Sequence, residues 1–317
     1  MEEISPKRIA FLFPGQGSQV VGMGKDIYEQ SSTVREIFDM VDEITRFSIS
    51  RLCFEGPMER LTETVHLQPA VTAVNLAFLA LLAENGVRPF VSAGHSLGEY
   101  AALCAAGVLS REDTARLVFQ RGNLMHRESI RNPGAMAAII GLSLAEVESL
   151  TATVRQQGGI VSVANYNTEF QIVVTGTPEA VAAVNKLAQE QGARAIALKV
   201  SGAWHSELIR GAEAEFSERI DAADFRKPNS KIVLNVTGNT EDDPSTVREI
   251  MKRQLCSPVR WYPSMQTMLA EKPDVLIEVG PGRVLANMVK QMLPKNAPVQ
   301  VLTTGSLQKL DEVFRLL

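Results

Sequence analysis

The stretch Gly94-His95-Ser96-Leu97-Gly98 decides the fold of this chain, because it has the form G-x-S-x-G of a serine on a sharp turn between a strand and a helix. The preceding residues, 87–93, form a short apolar run that is typical of a buried strand. The following residues, 99–107, favour a helix that ends at a glycine. Gly94 and Gly98 leave the space that the turn needs and expose the serine hydroxyl. A glycine-rich turn without chemistry is the alternative, and both flanks argue against it.

Composition limits the class of protein. The chain has 317 residues, of which 45% are hydrophobic, so it can form one large domain or a large domain with a smaller one. Its 32 basic and 36 acidic residues give a net charge of −4, which argues against nucleic acid or an anionic membrane as the main partner. Residues 1–7 do not read as a signal peptide, and no run predicts a transmembrane helix.

The three cysteines, Cys53, Cys104 and Cys256, lie far apart and form no C-x-x-C motif. This spacing predicts neither a disulfide framework nor a metal site. We therefore expect a reducing compartment, and hence a cytoplasmic protein.

Strands and helices alternate along the chain. Residues 8–13 read as a buried strand that leads into a loop of small residues, and helical patterns follow near 25–45, 69–84 and 111–127. Further on, strands are predicted at 232–236 and 274–279, with helices near 244–255 and after 282. This alternation predicts an α/β fold in which helices cover both faces of a parallel sheet, the large hydrolase-like domain.

The pattern changes near residue 133. Strands are predicted at 135–140, 160–164, 171–175 and 194–200, with helices over 143–157 and from Thr177 to about 192. Ser143 and Glu146 form a capping box at the start of the first of these helices. The order β-α-β-β-α-β is the split βαβ pattern, which predicts a ferredoxin-like α+β subdomain over 128–200. The large catalytic domain would then comprise 1–127 and 201–317.

A serine nucleophile needs a base, and the chain has four histidines. His66 precedes the predicted helix, His95 points elsewhere on the turn, and His126 lies among charged residues. His205 follows a strand in a loop of small residues and comes after the serine, the chain order of α/β-hydrolase triads. No acid between them is convincing, so an amide side chain or a backbone carbonyl is expected to orient the imidazole.

Six ordered stretches together resemble malonyl-CoA:acyl-carrier-protein transacylases and the acyltransferase domains of polyketide synthases. The resemblance runs from about residue 8 to about residue 305. The stretches are Phe13-Pro14-Gly15-Gln16-Gly17-Ser18-Gln19, Gly94-His95-Ser96-Leu97-Gly98-Glu99-Tyr100, Gln120-Arg121-Gly122, Gly202-Ala203-Trp204-His205-Ser206, Pro258-Val259-Arg260-Trp261 and Glu278-Val279-Gly280-Pro281-Gly282.

The resemblance implies a role for each matching catalytic position. Ser96 would attack the thioester and hold the acyl group as an ester, and His205 would move the protons. The backbone N–H groups of Gln16 and Leu97 would form the oxyanion hole. Gln254 would orient the histidine through its main-chain carbonyl.

Three further positions would select the acyl group. Arg121 would bind the free malonyl carboxylate, since a guanidinium fits a carboxylate in a planar, bidentate way. Trp204, larger than the phenylalanine more common there, would restrict α-branching, unless it only packs under the loop. Asn165 would be a polar group of the cleft, with a plain turn residue as the alternative. Gln16 would also line the substrate site.

The implied substrates are a coenzyme A thioester and the phosphopantetheine thiol of an acyl carrier protein, with no bound cofactor and no metal. We expect a monomer whose basic residues receive the acidic carrier protein, although scattered surface bases explain them equally well; the candidates are Lys186, Arg194, Lys199 and Arg283.

Alternatives to a malonyltransferase of fatty-acid synthesis stay open. A trans-acting acyltransferase of a polyketide synthase would share every catalytic residue. A hydrolase of carrier-protein thioesters is disfavoured by Arg121 and Glu99, because hydrolytic relatives tend to carry Gln after the second glycine of the motif. A non-catalytic protein is disfavoured by the intact Ser96, His205 and Arg121.

Overall fold

The computed structural model describes residues 7–317. Part of the N-terminal segment on which the signal-peptide expectation rests, residues 1–6, lies outside them. Residues 7–317 contain nine strands: β1 (Ile9–Phe13), β2 (Val91–Gly94), β3 (Ala135–Ile140), β4 (Val161–Thr168), β5 (Gln171–Gly176), β6 (Arg194–Ala197), β7 (Lys231–Val233), β8 (Val275–Glu278) and β9 (Gln300–Thr303).

The helices connect and cover these strands, and a 3₁₀ helix spans Glu207–Ala212. They are α1 (Lys25–Gln30), α2 (Ser32–Thr45), α3 (Ile49–Glu55), α4 (Met58–Leu61), α5 (Thr64–Glu84), α6 (Gly98–Ala105), α7 (Arg111–Arg131), α8 (Leu144–Gln156), α9 (Pro178–Glu190), α10 (Glu213–Ala222), α11 (Pro244–Arg253), α12 (Trp261–Ala270), α13 (Val284–Met292) and α14 (Leu307–Leu316).

The first sheet is parallel, with strand order β7-β2-β1-β8-β9, which confirms the predicted α/β fold. Its central strand is apolar throughout because both faces are covered. Phe11 and Phe13 face the core built by α2, α5, α6 and α7. Ala10 and Leu12 face the other way, toward residues of α12 and α13.

The second sheet is antiparallel, with strand order β4-β5-β3-β6. Its elements follow the predicted sequence β-α-β-β-α-β. Ser143 and Glu146 form the expected capping box, and the Thr177 hydroxyl caps α9 with Pro178 at its first position. Helix α7 continues to Arg131, so the boundary predicted between 127 and 128 falls within this helix.

Helix α5 begins at Thr64 rather than near Pro69, so the expectation that His66 precedes the helix is wrong. Proline destabilises the interior of a helix because it has no backbone N–H to donate. In α5, Pro69 leaves the carbonyl of Val65, four residues earlier, without its helical donor. Of the helices within 7–317, α5 alone has the length and mean hydropathy, 1.6, of a membrane span. It is a core helix, with 89% of that apolar window buried inside the protein.

Candidate active site

The turn from β2 to α6 holds Ser96 in the left-handed region, with φ of 51°. L-residues avoid this conformation, so its presence marks a position that the surrounding structure enforces. The two glycines of the motif permit it. A Cβ on Gly94 would overlap the carbonyl of Gly98, and a Cβ on Gly98 would overlap the carbonyl oxygen of Phe13. The hydroxyl of Ser96 therefore stands exposed to the cavity above the sheet.

The structure brings Ser96 and His205 together from positions 109 residues apart: Ser96 Oγ lies 2.7 Å from His205 Nε2. On the other side of the ring, Nδ1 lies 3.0 Å from the carbonyl oxygen of Ser257 and 3.2 Å from that of Gln254. Carbonyl oxygens only accept, so Nδ1 carries the proton and Nε2 is free to accept the proton of the serine. Two main-chain carbonyls thus occupy the place of the acid in a Ser-His-Asp triad.

His205 is buried, and its pKa is lowered to about 3 by burial, by the positive charge of Arg121 and by His95. Water solvates the charged imidazolium better than this site does, which favours the neutral ring. At neutral pH the ring is therefore uncharged and able to act as a base. An anion that pairs with Arg121 would remove one of these causes and raise the pKa of His205 toward its usual value.

Arg121 on α7 is buried and reaches the nucleophile directly. Its Nη2 donates to Ser96 Oγ at 3.0 Å and to Gln254 Oε1 at 3.3 Å, and its Nη1 donates to Gln68 Oε1 at 3.1 Å. Burial lowers its pKa from the usual value. Within residues 7–317 no carboxylate forms an ion pair with it. A buried guanidinium whose hydrogen-bond partners are neutral can bind an anion.

The positions predicted for the oxyanion hole carry N–H groups without acceptors. Among the described residues, neither the N–H of Gln16 nor that of Leu97 has a hydrogen-bond partner, and both residues line the cavity at Ser96. Their loops are in contact, since a Cβ on Gly15 would lie 3.4 Å from the Cβ of Leu97. Two free N–H groups beside a nucleophile can stabilise a developing oxyanion.

The cavity at the nucleophile is narrow, about 90 Å³, and largely apolar. Trp204 and Asn165 both line it, as predicted from the sequence. The indole Nε1 of Trp204 and the amide Oδ1 of Asn165 are buried without a partner among residues 7–317. The other lining residues are Gln16, His95, Ser96, Leu97, Arg121, Met125, Met136, Leu198, Val200 and His205.

His95 lines the same cavity, but its ring bonds a residue of β4 and not the Ser96 hydroxyl, in line with the expectation that it points elsewhere on the turn. Its Nε2 lies 2.8 Å from Asn167 Oδ1 on β4, and its ring lies 5.3 Å from that of Trp261. Burial lowers its pKa. The bond to Asn167 holds the His95 ring toward the antiparallel sheet. The side chains of the adjacent residues His95 and Ser96 therefore have different partners.

Residues that the motifs did not indicate complete the site. Gln68 on α5 supports Arg121, and Ser257 supplies a carbonyl to His205. The amide of Gln254 contacts Ser96 and Glu99 as well as Arg121, so its side chain contributes beyond the main-chain role implied by the resemblance.

The four candidate bases for a carrier-protein surface are all exposed. Lys186 lies on α9, Arg194 on the edge strand β6, and Arg283 at the start of α13. Lys199 lies between Leu198 and Val200, which line the cavity. They are thus spread over both parts of the molecule, and only Lys199 is adjacent in sequence to cavity residues.

Residues 10–313 match the family model described as the acyl transferase domain. The chain is 42% identical over 286 residues to a malonyl CoA-acyl carrier protein transacylase of Bacillus subtilis, with 90% of each chain covered. Its fold matches that of FabD from Acinetobacter baumannii with a TM-score of 0.92, 35% identity and 98% of each chain covered.

A second solved structure is a complex, described as a type II PKS acyl-carrier protein with its malonyl-transacylase. The TM-score is 0.92 at 33% identity, and the match covers 98% of this chain and 100% of that one.

Proposed function

Because the chain belongs to the acyl transferase family and is an acyltransferase, we propose that it moves a malonyl group from malonyl-CoA to the phosphopantetheine thiol of an acyl carrier protein in fatty-acid synthesis. The observation that carries this proposal is Arg121. Its guanidinium is buried 3.0 Å from the nucleophile with only neutral partners, so it favours an acyl group that ends in a carboxylate. An acetyl group would offer Arg121 no charged partner.

The reaction would proceed in two half-reactions. Ser96 Oγ attacks the thioester carbonyl carbon while its proton passes to His205 Nε2, and the N–H groups of Gln16 and Leu97 hold the oxyanion. The intermediate collapses, the C–S bond breaks, and the coenzyme A thiolate takes the proton from His205. Malonyl-Ser96 remains as an ester, and free coenzyme A leaves.

The second half-reaction reverses these steps with a different thiol. The phosphopantetheine thiol gives its proton to His205 and attacks the ester carbonyl. The C–O bond to Ser96 breaks, and the serine recovers the proton from His205. Three apolar side chains of the lining, Met125, Met136 and Leu198, offer water no hydrogen-bond partner near the ester.

Two measurements test this proposal. The protein is given malonyl-CoA with and without holo carrier protein, and transfer and hydrolysis are followed together. We expect transfer to dominate, whereas faster hydrolysis would overturn the proposal in favour of a thioester hydrolase. Mass spectrometry after exposure to malonyl-CoA should find the acyl group on Ser96, and a Ser96→Ala variant that still carries it would refute the serine ester.

A polyketide role is the second candidate, and the solved complex of a polyketide carrier protein with its malonyl-transacylase favours it. The chemistry would be the same, so only the acceptor differs. Parallel assays with fatty-acid and polyketide carrier proteins distinguish the two by their kcat/KM values. The monomeric state and the cytoplasmic location stay predictions.

A further inference from the structure

Side chains from distant parts of the sequence bond both backbone polar groups of Ser96, and the backbone N–H of Glu99 also donates to its carbonyl, at 3.2 Å. The N–H of Ser96 donates to Asn235 Oδ1 at 2.7 Å, and its carbonyl accepts from Gln254 Nε2 at 2.8 Å. These two bonds act on a residue whose φ is 51°. A non-glycine residue keeps such a conformation only where its surroundings enforce it.

Both of these residues bond one carboxylate, Asn235 through its backbone N–H and Gln254 through its side chain. Glu99 Oε1 accepts from the backbone N–H of Asn235 at 2.7 Å, and Glu99 Oε2 accepts from Gln254 Nε2 at 2.9 Å. Glu99 lies in the first turn of α6 and is fully buried. Burial raises the pKa of Glu99 to about 7. In its ionised form the carboxylate has two accepting oxygens and no donor, so it satisfies both N–H groups at once. A glutamine side chain has one accepting oxygen, so at position 99 it would leave one of these two N–H groups without its acceptor.

The same two residues connect the turn to the rest of the site. Asn235 Nδ2 donates to the carbonyl of Gly94 at 2.7 Å, which joins the end of β2 to the turn. The main-chain carbonyl of Gln254 faces His205 Nδ1. The nucleophile and the base are therefore fixed relative to each other through two residues, Asn235 and Gln254, that both donate a hydrogen bond to Glu99.

We propose that Glu99 is a positioning residue for the acyl transfer, which holds Ser96 in its left-handed conformation through Asn235 and Gln254. Glu99 does not line the cavity and touches no reacting atom. The inference rests on the proposed function only in taking Ser96 as the nucleophile. Since Glu99 acts on the nucleophile and not on the acyl group, its loss should slow the transfer of all acyl groups alike, whereas loss of Arg121 should slow malonyl transfer far more than acetyl transfer.

The test compares Glu99→Gln with Glu278→Gln. Glu278 is also a buried carboxylate that accepts two N–H groups, those of Leu285 and Ala286, but it lies outside the cavity. The readouts are the rate at which a neutral fluorophosphonate labels Ser96, and kcat with malonyl-CoA and with acetyl-CoA, all per folded molecule at a temperature where circular dichroism shows both variants folded.

For Glu99→Gln we expect labelling to slow by about tenfold or more, with kcat falling by a similar factor for both acyl groups, since one of the two hydrogen bonds accepted by Glu99 is lost. Glu278→Gln should label at the wild-type rate. Glu99→Gln with wild-type labelling would overturn the proposal, and so would a loss confined to malonyl, which would mean that Glu99 acts through Arg121.

A second variant keeps the proposal testable if Glu99→Gln does not fold. Asn235→Ala removes the acceptor for the Ser96 N–H and leaves Arg121 and the carbonyls facing His205 in place. It should also slow labelling by about tenfold, and a wild-type rate would refute the proposal. If the wild-type protein itself is not labelled at Ser96, the proposed function fails instead, and the two failures are thereby distinguished.

Discussion

Replacing Arg121 by methionine tests the proposed substrate most directly. Methionine fills much of the same volume and removes every donor, while Gln68 and Gln254 can still bond each other or water. The guanidinium would otherwise make two charge-assisted hydrogen bonds to the malonyl carboxylate, each contributing about 1.5–3 kcal/mol. Their sum of about 3–6 kcal/mol corresponds to a fall of about 10²- to 10⁴-fold in kcat/KM for malonyl-CoA.

Acetyl-CoA has no carboxylate to lose, so its kcat/KM should change by less than about tenfold. The assay is transfer from each thioester to holo carrier protein, and the decisive quantity is the ratio of the two kcat/KM values. Arg116→Met is the matched control, because Arg116 lies on the same helix but is exposed to solvent. Equal losses for both acyl groups would refute the reasoning and make Arg121 a structural residue.

Three further outcomes are expected. Arg121→Met should raise the pKa of His205, because the charge of Arg121 helps to lower it; the acidic limb of the pH profile with acetyl-CoA should then move to higher pH, and an unmoved limb would contradict this. Trp204→Ala should raise the kcat/KM for methylmalonyl-CoA relative to malonyl-CoA by about tenfold, whereas an unchanged ratio would leave Trp204 as packing alone. Burial raises the pKa of Glu278 from 4.5 to about 7, so the folded state binds more protons and the free energy of unfolding should fall between about pH 4.5 and 7. Urea titrations should show a flatter pH dependence for Glu278→Gln, by on the order of 3 kcal/mol, and identical profiles would contradict the assignment.

The parts of the fold that the sequence predicts are those with local causes. The turn at Ser96 follows from small residues between an apolar run and a helix former, and the start of α8 follows from the reciprocal bonds of Ser143 and Glu146. The sequence predicts the start of α5 too late, because Pro69 is typical of a first helical turn, whereas the helix begins at Thr64 and its first turns are buried in the core. The edge strand β9 and helix α14 were not indicated either, since both depend on packing against β8 and its neighbours.

The sequence predicts the site residues that lie within short motifs, but not the partners that contact them from elsewhere in the chain. Ser96, His205 and Arg121 each lie in a short sequence motif. In the structure, the Ser96 hydroxyl lies within hydrogen-bond distance of both the His205 ring and the Arg121 guanidinium. The contact of the Ser257 carbonyl with His205 cannot be predicted from the sequence, because every residue has a main-chain carbonyl. Gln68 pairs with a side chain 53 residues away, so no local pattern marks it.

The direct hydrogen-bond partners of Arg121 are neutral, and this bears on the release of the acyl group in the proposed reaction. A carboxylate side chain bonded to Arg121 would compete with the carboxylate of the acyl group in every catalytic cycle. It would weaken binding of the acyl group and favour its release. Amide oxygens, by contrast, accept from the guanidinium without neutralising it. In the proposed reaction, the acyl carboxylate would therefore compete only with neutral groups for Arg121 when it binds, and the same groups would bond the guanidinium again when it leaves.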